Sequence, residues 1–221
     1  MPALPGDDVA HSTLHAPAVG ILAFNGSRID GGLYAHITGW ARTAPAWLDD
    51  IIKYWSALGV GIFAVLMVIG WWWARRQPSV TMARVLASPA VVVAAYVVND
   101  VIKSMVQEVR PCQQIAHSFT LETCPGPGDW AFPSNHTVVA FSAAVALFFV
   151  NRALGWVALV AAVAMGASRV YVGAHYPHDV IVGALVGVVV AIPLTLLAGR
   201  YAAASVERAR SGRLRPLLVN P

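Results

Sequence analysis

The sequence predicts an all-α fold: a polytopic transmembrane helix bundle of about five spanning helices, preceded by an interfacial helical segment. Three observations carry this. Hydrophobic residues make up 57% of the 221 and charged residues only 12%, against about 45–50% and roughly 25% in soluble domains. Five stretches approach the roughly 20 apolar residues that a helix needs to cross about 30 Å of hydrocarbon. The basic residues also cluster on alternate connections, as they do in membrane topologies. This composition excludes a water-soluble globule and a disordered chain, and two cysteines are too few for a disulfide-dense scaffold.

Taken in chain order, residues 1–17 read as a loose tail. Residues 1–20 contain no Lys or Arg, so no cleaved secretory signal is expected. Residues 18–48 mix Ile21, Leu22, Phe24, Ile37, Trp40, Trp47 and Leu48 with Arg28, Asp30 and Arg42, and are broken by Gly31, Gly32 and Pro45. They predict one or two short helices in the interface, with Trp40 and Trp47 at headgroup level. The spans follow at 51–73, 85 to about 107, about 134 to 150, 153–168 and 180–199. The fourth is the shortest and richest in Ala and Gly, which suits a central helix approached closely by its neighbours. Residues 18–199 thus form one membrane domain. The basic tail 200–221 reads as an anchor on anionic headgroups or as a solvated tail that enforces topology.

The net charge of +4 is compatible with nucleic acid, but its placement points to topology. Arg75, Arg76, Arg84, Arg152, Arg200, Arg208, Arg210, Arg213 and Arg215 fall on one set of connections, accompanied by Glu207. That set is expected in the cytoplasm, giving an N-out, C-in chain. The expected partners are the bilayer and a membrane lipid substrate, and no nucleic acid. The outward 111–133 loop holds Cys112 and Cys124, a candidate disulfide in an oxidising compartment, the alternative being two unrelated thiols. With His117 they supply three zinc-ligand types at unfamiliar spacing and no fourth.

Three polar clusters sit where a membrane disfavours them. Asn99, Asp100, Lys103, Gln107, Glu108 and Arg110-Pro111 close the second span. Lys103 and Arg110, seven apart, would share one helix face with Gln107 between them, as phosphate ligands or as snorkelling anchors. Phe132-Pro133-Ser134-Asn135-His136 opens the third span. Ser134 is a candidate N-cap there, and the helix N-terminus is an anion site unless it is only a cap. Ser168-Arg169 and His175-Tyr176-Pro177-His178-Asp179 join the last two spans. Asp179, four residues on, can hold one nitrogen of His175 and leave the other as nucleophile or base. His178 is the rival for that role but reads better as an exposed turn histidine. Cations, a helix N-terminus and a carboxylate-held histidine on one side are the equipment of phosphoryl transfer. No carboxylate pair has the spacing of a magnesium or two-metal site, so no metal or cofactor is expected.

Lys103-x6-Arg110-Pro111, Pro133-Ser134-Asn135-His136 and Ser168-Arg169-x5-His175-x3-Asp179 together resemble the signature of the type-2 phosphatidic acid phosphatase family. Every spacing fits, over about residues 50–199. Asn135 stands where the family usually has Gly, and Asn tolerates left-handed backbone better than most residues. Phe132-Pro-Ser-Asn-His-Thr137 and Arg169-Val-Tyr-Val-Gly-Ala-His175-Tyr-Pro also look like the bacterial undecaprenyl pyrophosphate phosphatases of that family. The resemblance implies a phosphohistidine on His175, oriented by Asp179, and His136 as general acid. It also implies phosphate ligands from Lys103, Arg110, Ser134, Asn135 and Arg169. The expected activity is metal-independent removal of a terminal phosphate from a lipid at the outer leaflet of a bacterial plasma membrane. A polyprenyl pyrophosphate leads phosphatidic acid, phosphatidylglycerol phosphate and a prenyl-phosphosugar phosphate as substrate. A non-catalytic lipid-phosphate binder or transporter is the alternative class.

Overall fold

The structure is a computed structural model describing residues 24–219; the expectations of a loose N-terminal tail and of no cleaved signal concern residues outside them. Ten helices follow in order among the described residues. Helix α1 (Ser27–Thr43) is kinked at Asp30, where φ −144° and ψ 23° leave the helical region. It presents Ile29, Leu33 and Trp40 outward, as an interfacial helix does.

Helices α2 (Ala46–Leu58) and α3 (Gly61–Ala74) replace the first expected span. They are bent by 58° at the intervening residues, where Gly59 and Gly61 flank Val60. Helix α4 (Ser79–Val106) is followed by the short α5 (Pro111–Gln114), α6 (Asn135–Phe148), α7 (Arg152–Tyr171) and α8 (Pro177–Tyr201). The side chain of Asn151 caps α7 by accepting from the N–H groups of Ala153 and Leu154, and Pro177 opens α8 at its first position, where its missing N–H costs nothing.

By length and composition three helical stretches can cross a membrane: Ser79–Gln114, Arg152–Tyr171 and Pro177–Tyr201. The bent α2–α3 pair makes a fourth if it serves as one span, and α6 is a 14-residue apolar helix. The protein is a membrane protein. Val93, Val97 and Val101 on α4, Val157, Val160 and Val163 on α7, and Ile181, Leu185 and Val189 on α8 are exposed. These apolar stripes at helical spacing suit lipid rather than water.

The centre is α6, not the small-residue α7. Helix α6 packs against α3, α4, α7 and α8 and buries Val138, Ala140, Ala143, Ala144 and Leu147. Of the small residues of α7, Gly155, Ala158, Ala161, Ala162 and Gly166 are buried, while Ala164 and Ala167 are exposed along with Trp156 and Val160. Helix α8 reaches α6 through glycine: a Cβ on Gly183 would lie 2.8 Å from the Ser134 carbonyl oxygen, and one on Gly187 2.8 Å from that of Val138. The basic tail is docked rather than loose. Helices α9 (Ala203–Arg210) and α10 (Arg215–Leu218) bury Val206 and Leu218 against Met82, Val85 and Val150.

Candidate active site

Lys103 and Arg110 do not share a helix face. Helix α4 ends at Val106, and Gln107 takes the left-handed conformation at φ 52°, ψ 45°, the usual way of stopping a helix and turning the chain. The chain then folds back, so that both cations reach one segment. Lys103 Nζ donates to the carbonyls of Trp130 (2.9 Å) and Ala131 (3.4 Å). Arg110 donates to the Asp129 carbonyl (2.9 Å), to Asp129 Oδ1 (2.8 Å) and to the Ala174 carbonyl (3.0 Å). Both are buried, which does not suit snorkelling anchors.

Ser134 stands at the N-cap position of α6, but its hydroxyl does not cap the helix. It accepts from Thr137 Oγ1 at 3.0 Å. The first bond within the helix runs from Val138 N–H to Ser134 O, so the N–H groups of residues 135–137 are the terminal donors that a helix start offers an anion. Asn135 is the first helical residue and needs no left-handed backbone. Its Oδ1 accepts from Asn99 Nδ2 at 2.6 Å, tying the start of α6 to α4.

The 172–176 turn sets the third cluster. Gly173 has φ +81°, and a Cβ there would lie 2.7 Å from the Phe119 carbonyl oxygen, so the turn needs glycine. Asp179, in the first turn of α8, accepts the Tyr176 N–H at 2.8 Å, and the same oxygen lies 3.3 Å from His175 Nδ1. Its backbone carbonyl accepts from the Ser134 N–H at 3.1 Å, joining the starts of α6 and α8. His175 is 2% exposed. Burial, and then the Arg110, Arg169 and Lys103 charges, hold its imidazole well below the ordinary 6.5, which keeps it neutral.

Arg169 is buried in the last turn of α7. It donates to Ser56 Oγ of α2 and forms a fork to Glu122 at 2.9 and 3.2 Å. A cavity of about 260 Å³ is lined by Arg110, Arg169, His136, Glu122 and Asp129. Cys112 and Cys124 border it and are joined, Sγ–Sγ 1.96 Å with Cα atoms 6.0 Å apart. Both sulfurs are thus withdrawn from metal binding. The structure therefore brings Lys103, Arg110, Ser134, Asn135, His136, Arg169, His175 and Asp179 to one end of the bundle. Arg152 and Arg169 lie at opposite ends of α7.

Residues 84–202 match the model of the PAP2 superfamily, more than half of the chain. The chain belongs to that superfamily. It is similar to the undecaprenyl-diphosphatase BcrC of Bacillus subtilis, 31% identical over 144 residues, 65% of this chain and 71% of that protein. Its fold is similar to that of Aquifex aeolicus LpxE, with a TM-score of 0.57, 22% identity and coverage of 78% of this chain and 95% of that one. It is also similar to a transmembrane PAP2-type phosphatidylglycerolphosphate phosphatase from Bacillus subtilis, with a TM-score of 0.57, 20% identity and coverage of 77% and 87%.

All eight motif residues fall inside the PAP2 match, whereas Ser56 and Asp30 precede it. Ser56, Glu122 and Asp129 belong to no motif, and His178 is not where its position in the turn suggests. His178 is not an exposed turn residue: its side chain is 13% exposed and lies between Asp30 and Glu108. The signal available was the acids themselves, since Asp30 and Glu108 interrupt apolar segments. Ligand atoms of Glu108, His178 and Asp179 lie within 4.8 Å of one another. Both ring nitrogens of His178 nevertheless face carboxylates, an arrangement that suits two N–H donors rather than a free lone pair for a metal.

Proposed function

We propose that this PAP2 protein hydrolyses the terminal phosphate of a polyprenyl pyrophosphate, through a phosphohistidine, at the extracytoplasmic face of a bacterial plasma membrane. The observation that carries it is the buried His175, held at Nδ1 by Asp179 and within the field of Arg110, Arg169 and Lys103. Nε2 attacks the terminal phosphorus, and the bond to the bridging oxygen breaks. His136 gives its proton to that oxygen, releasing the lipid monophosphate. Water then attacks the phosphohistidine with His136 as base, returning His175 and inorganic phosphate. Lys103, Arg110, Arg169 and the N–H groups at the start of α6 hold the equatorial oxygens, where transition-state charge gathers. The donors are cations and N–H groups, so the reaction needs no metal.

Similarity to the undecaprenyl-diphosphatase BcrC supports the polyprenyl pyrophosphate. The arginines at the other end of the bundle support a cytoplasmic placement of that end. Residues 18–199 act as one membrane domain. The test is phosphate release by purified protein in detergent with EDTA, comparing undecaprenyl pyrophosphate with phosphatidic acid and phosphatidylglycerol phosphate, beside His175→Ala. Metal-free release, fastest from the pyrophosphate and absent in the variant, is the expected result. Binding without release from any lipid would replace the enzyme by a lipid-phosphate carrier.

A further inference from the structure

Behind the His175–Asp179 pair lies a second cluster, assembled from three parts of the chain. His178 Nδ1 is 2.8 Å from Asp30 Oδ1 of α1, and its Nε2 is 3.1 and 3.2 Å from the two oxygens of Glu108. The backbone N–H of His178 also donates to Asp30 Oδ2 at 2.7 Å, so one carboxylate from α1 holds both the ring and the first turn of α8. Glu108 and Asp179 are fully buried. Asp179 Oδ1 makes no hydrogen bond, and His178 Nε2 lies 3.5 Å from it.

Two buried carboxylates side by side repel, and leaving either without a counter-charge is costly. A ring with an N–H on each nitrogen is the group that satisfies Asp30 and Glu108 together and sets a positive charge beside Asp179. The ring's surroundings suit a cation. It stacks on Tyr176 at 5.4 Å and 14°, with Phe132 at 6.0 Å, and aromatic faces attract cations. Lys103 of α4 is the other cation acting on Asp179.

The backbone is shaped to this cluster. Asp30 is the one non-helical residue inside α1. At Gly26 a Cβ would lie 1.7 Å from Glu108 Oε1 and 2.8 Å from His178 Cε1. The Val109 N–H donates to the Phe24 carbonyl at 3.3 Å, closing the N-terminal segment onto the end of α4.

We propose that Asp30, Glu108 and His178 form a positioning network that keeps Asp179 aligned as the acceptor for His175, making α1 a working part of the active site although it precedes the PAP2 match. The proposal rests on the phosphatase reading above. Without the ring's charge, Glu108 and Asp179 face each other with only Lys103 to offset Asp179, and His175 loses its orientation while the phosphate ligands stay in place.

The test compares Asp30→Asn, His178→Gln and the double variant, in full-length protein, by kcat, KM and thermal midpoint on undecaprenyl pyrophosphate. Each single variant is expected to lose roughly 10- to 100-fold in kcat with KM within about twofold, and the double variant to be no slower than His178→Gln alone. Additive losses, a loss carried by KM, or losses that follow the thermal midpoint would overturn the network. Nitrogen NMR of the histidine rings, assigned with His178→Gln, reads it without turnover. Two protonated ring nitrogens on His178 at neutral pH support it, and one unprotonated nitrogen, or a stoichiometric metal lost in His178→Gln, overturns it. Absence of phosphate release by the wild-type protein, with the ring doubly protonated, would defeat the phosphatase reading and leave the network standing.

Discussion

At the end of the bundle that gathers residues 74–79 and 200–219, arginine serves as a cap on the backbone. Arg75 Nη2 donates to the carbonyls of Pro216 and Val219, Arg210 to those of Ala74 and Gln77, and Arg84 to that of Phe149. At the opposite end Arg169 and Arg110 also find partners, but these include the carboxylates of Glu122 and Asp129, carried by the 111–133 loop around a cavity. Carbonyls that end helices are fixed and have no rival. A carboxylate is a stand-in for a phosphate, with similar charge and the same fork geometry. On the proposed function, arginine is structural where its acceptor cannot leave, and serves the chemistry where a substrate oxygen can replace the carboxylate.

That contrast can be broken by experiment, most severely at the nucleophile. His175→Ala should lower phosphate release by about 10⁴-fold or more and leave no acid-labile phosphoenzyme, measured in a single turnover. Full turnover in that variant would remove the phosphohistidine. Next come the cations: Arg169→Ala should cost about 10²- to 10³-fold in kcat/KM. Arg75→Ala should leave kcat/KM unchanged and lower stability by about 1–3 kcal/mol, read by thermal or denaturant unfolding. Equal losses of activity from the two would erase the distinction between the ends.

Smaller effects sharpen it. Glu122→Gln removes the carboxylate that competes for Arg169, so KM should fall by about threefold with kcat little changed; a rise in KM would make Glu122 part of the substrate site instead. The smallest effect is in pH. The His175 imidazole is held below the ordinary 6.5 by burial and then by its cationic neighbours, so it stays neutral and nucleophilic as the pH falls through that value. The acid limb of kcat/KM should lie below 6.5, and the unfolded chain, binding that proton more readily, should gain on the native state as the pH falls. Arg110→Gln should move the limb upward, and a limb that does not move would assign it to another group.

The sequence carried the contacts that are local. Ser134 and His136 are neighbours, and His175 meets Asp179 because a carboxylate in the first turn of α8 reaches back over its own N-terminus. The helical class was legible for the same reason, since composition and apolar run length are local properties. What escaped was set by breaks and by distance along the chain. Periodicity extended α4 through Arg110, but one left-handed residue, Gln107, stops it. It also ran through Gly59 and Gly61, where the chain bends by 58°. Asp30 meets His178 across 148 residues, and Ser56 meets Arg169 across 113; neither pairing has a spacing rule. Nothing local marks Glu122 and Asp129, because the loop that carries them to the cavity and its arginines is placed by tertiary contacts.

The 14 residues of α6 rise about 21 Å, while a hydrocarbon layer is about 30 Å thick. The Ser134 N–H donates to the Asp179 carbonyl, so α6 starts level with the 25-residue α8, and the shortfall lies at its other end, where Arg84 donates to the Phe149 carbonyl. The cradle itself is walled by protein, with Ser134, Lys103, Arg110 and Arg169 all buried, so a phosphate entering it gives up hydration and its attraction to the three cations strengthens as the local dielectric falls.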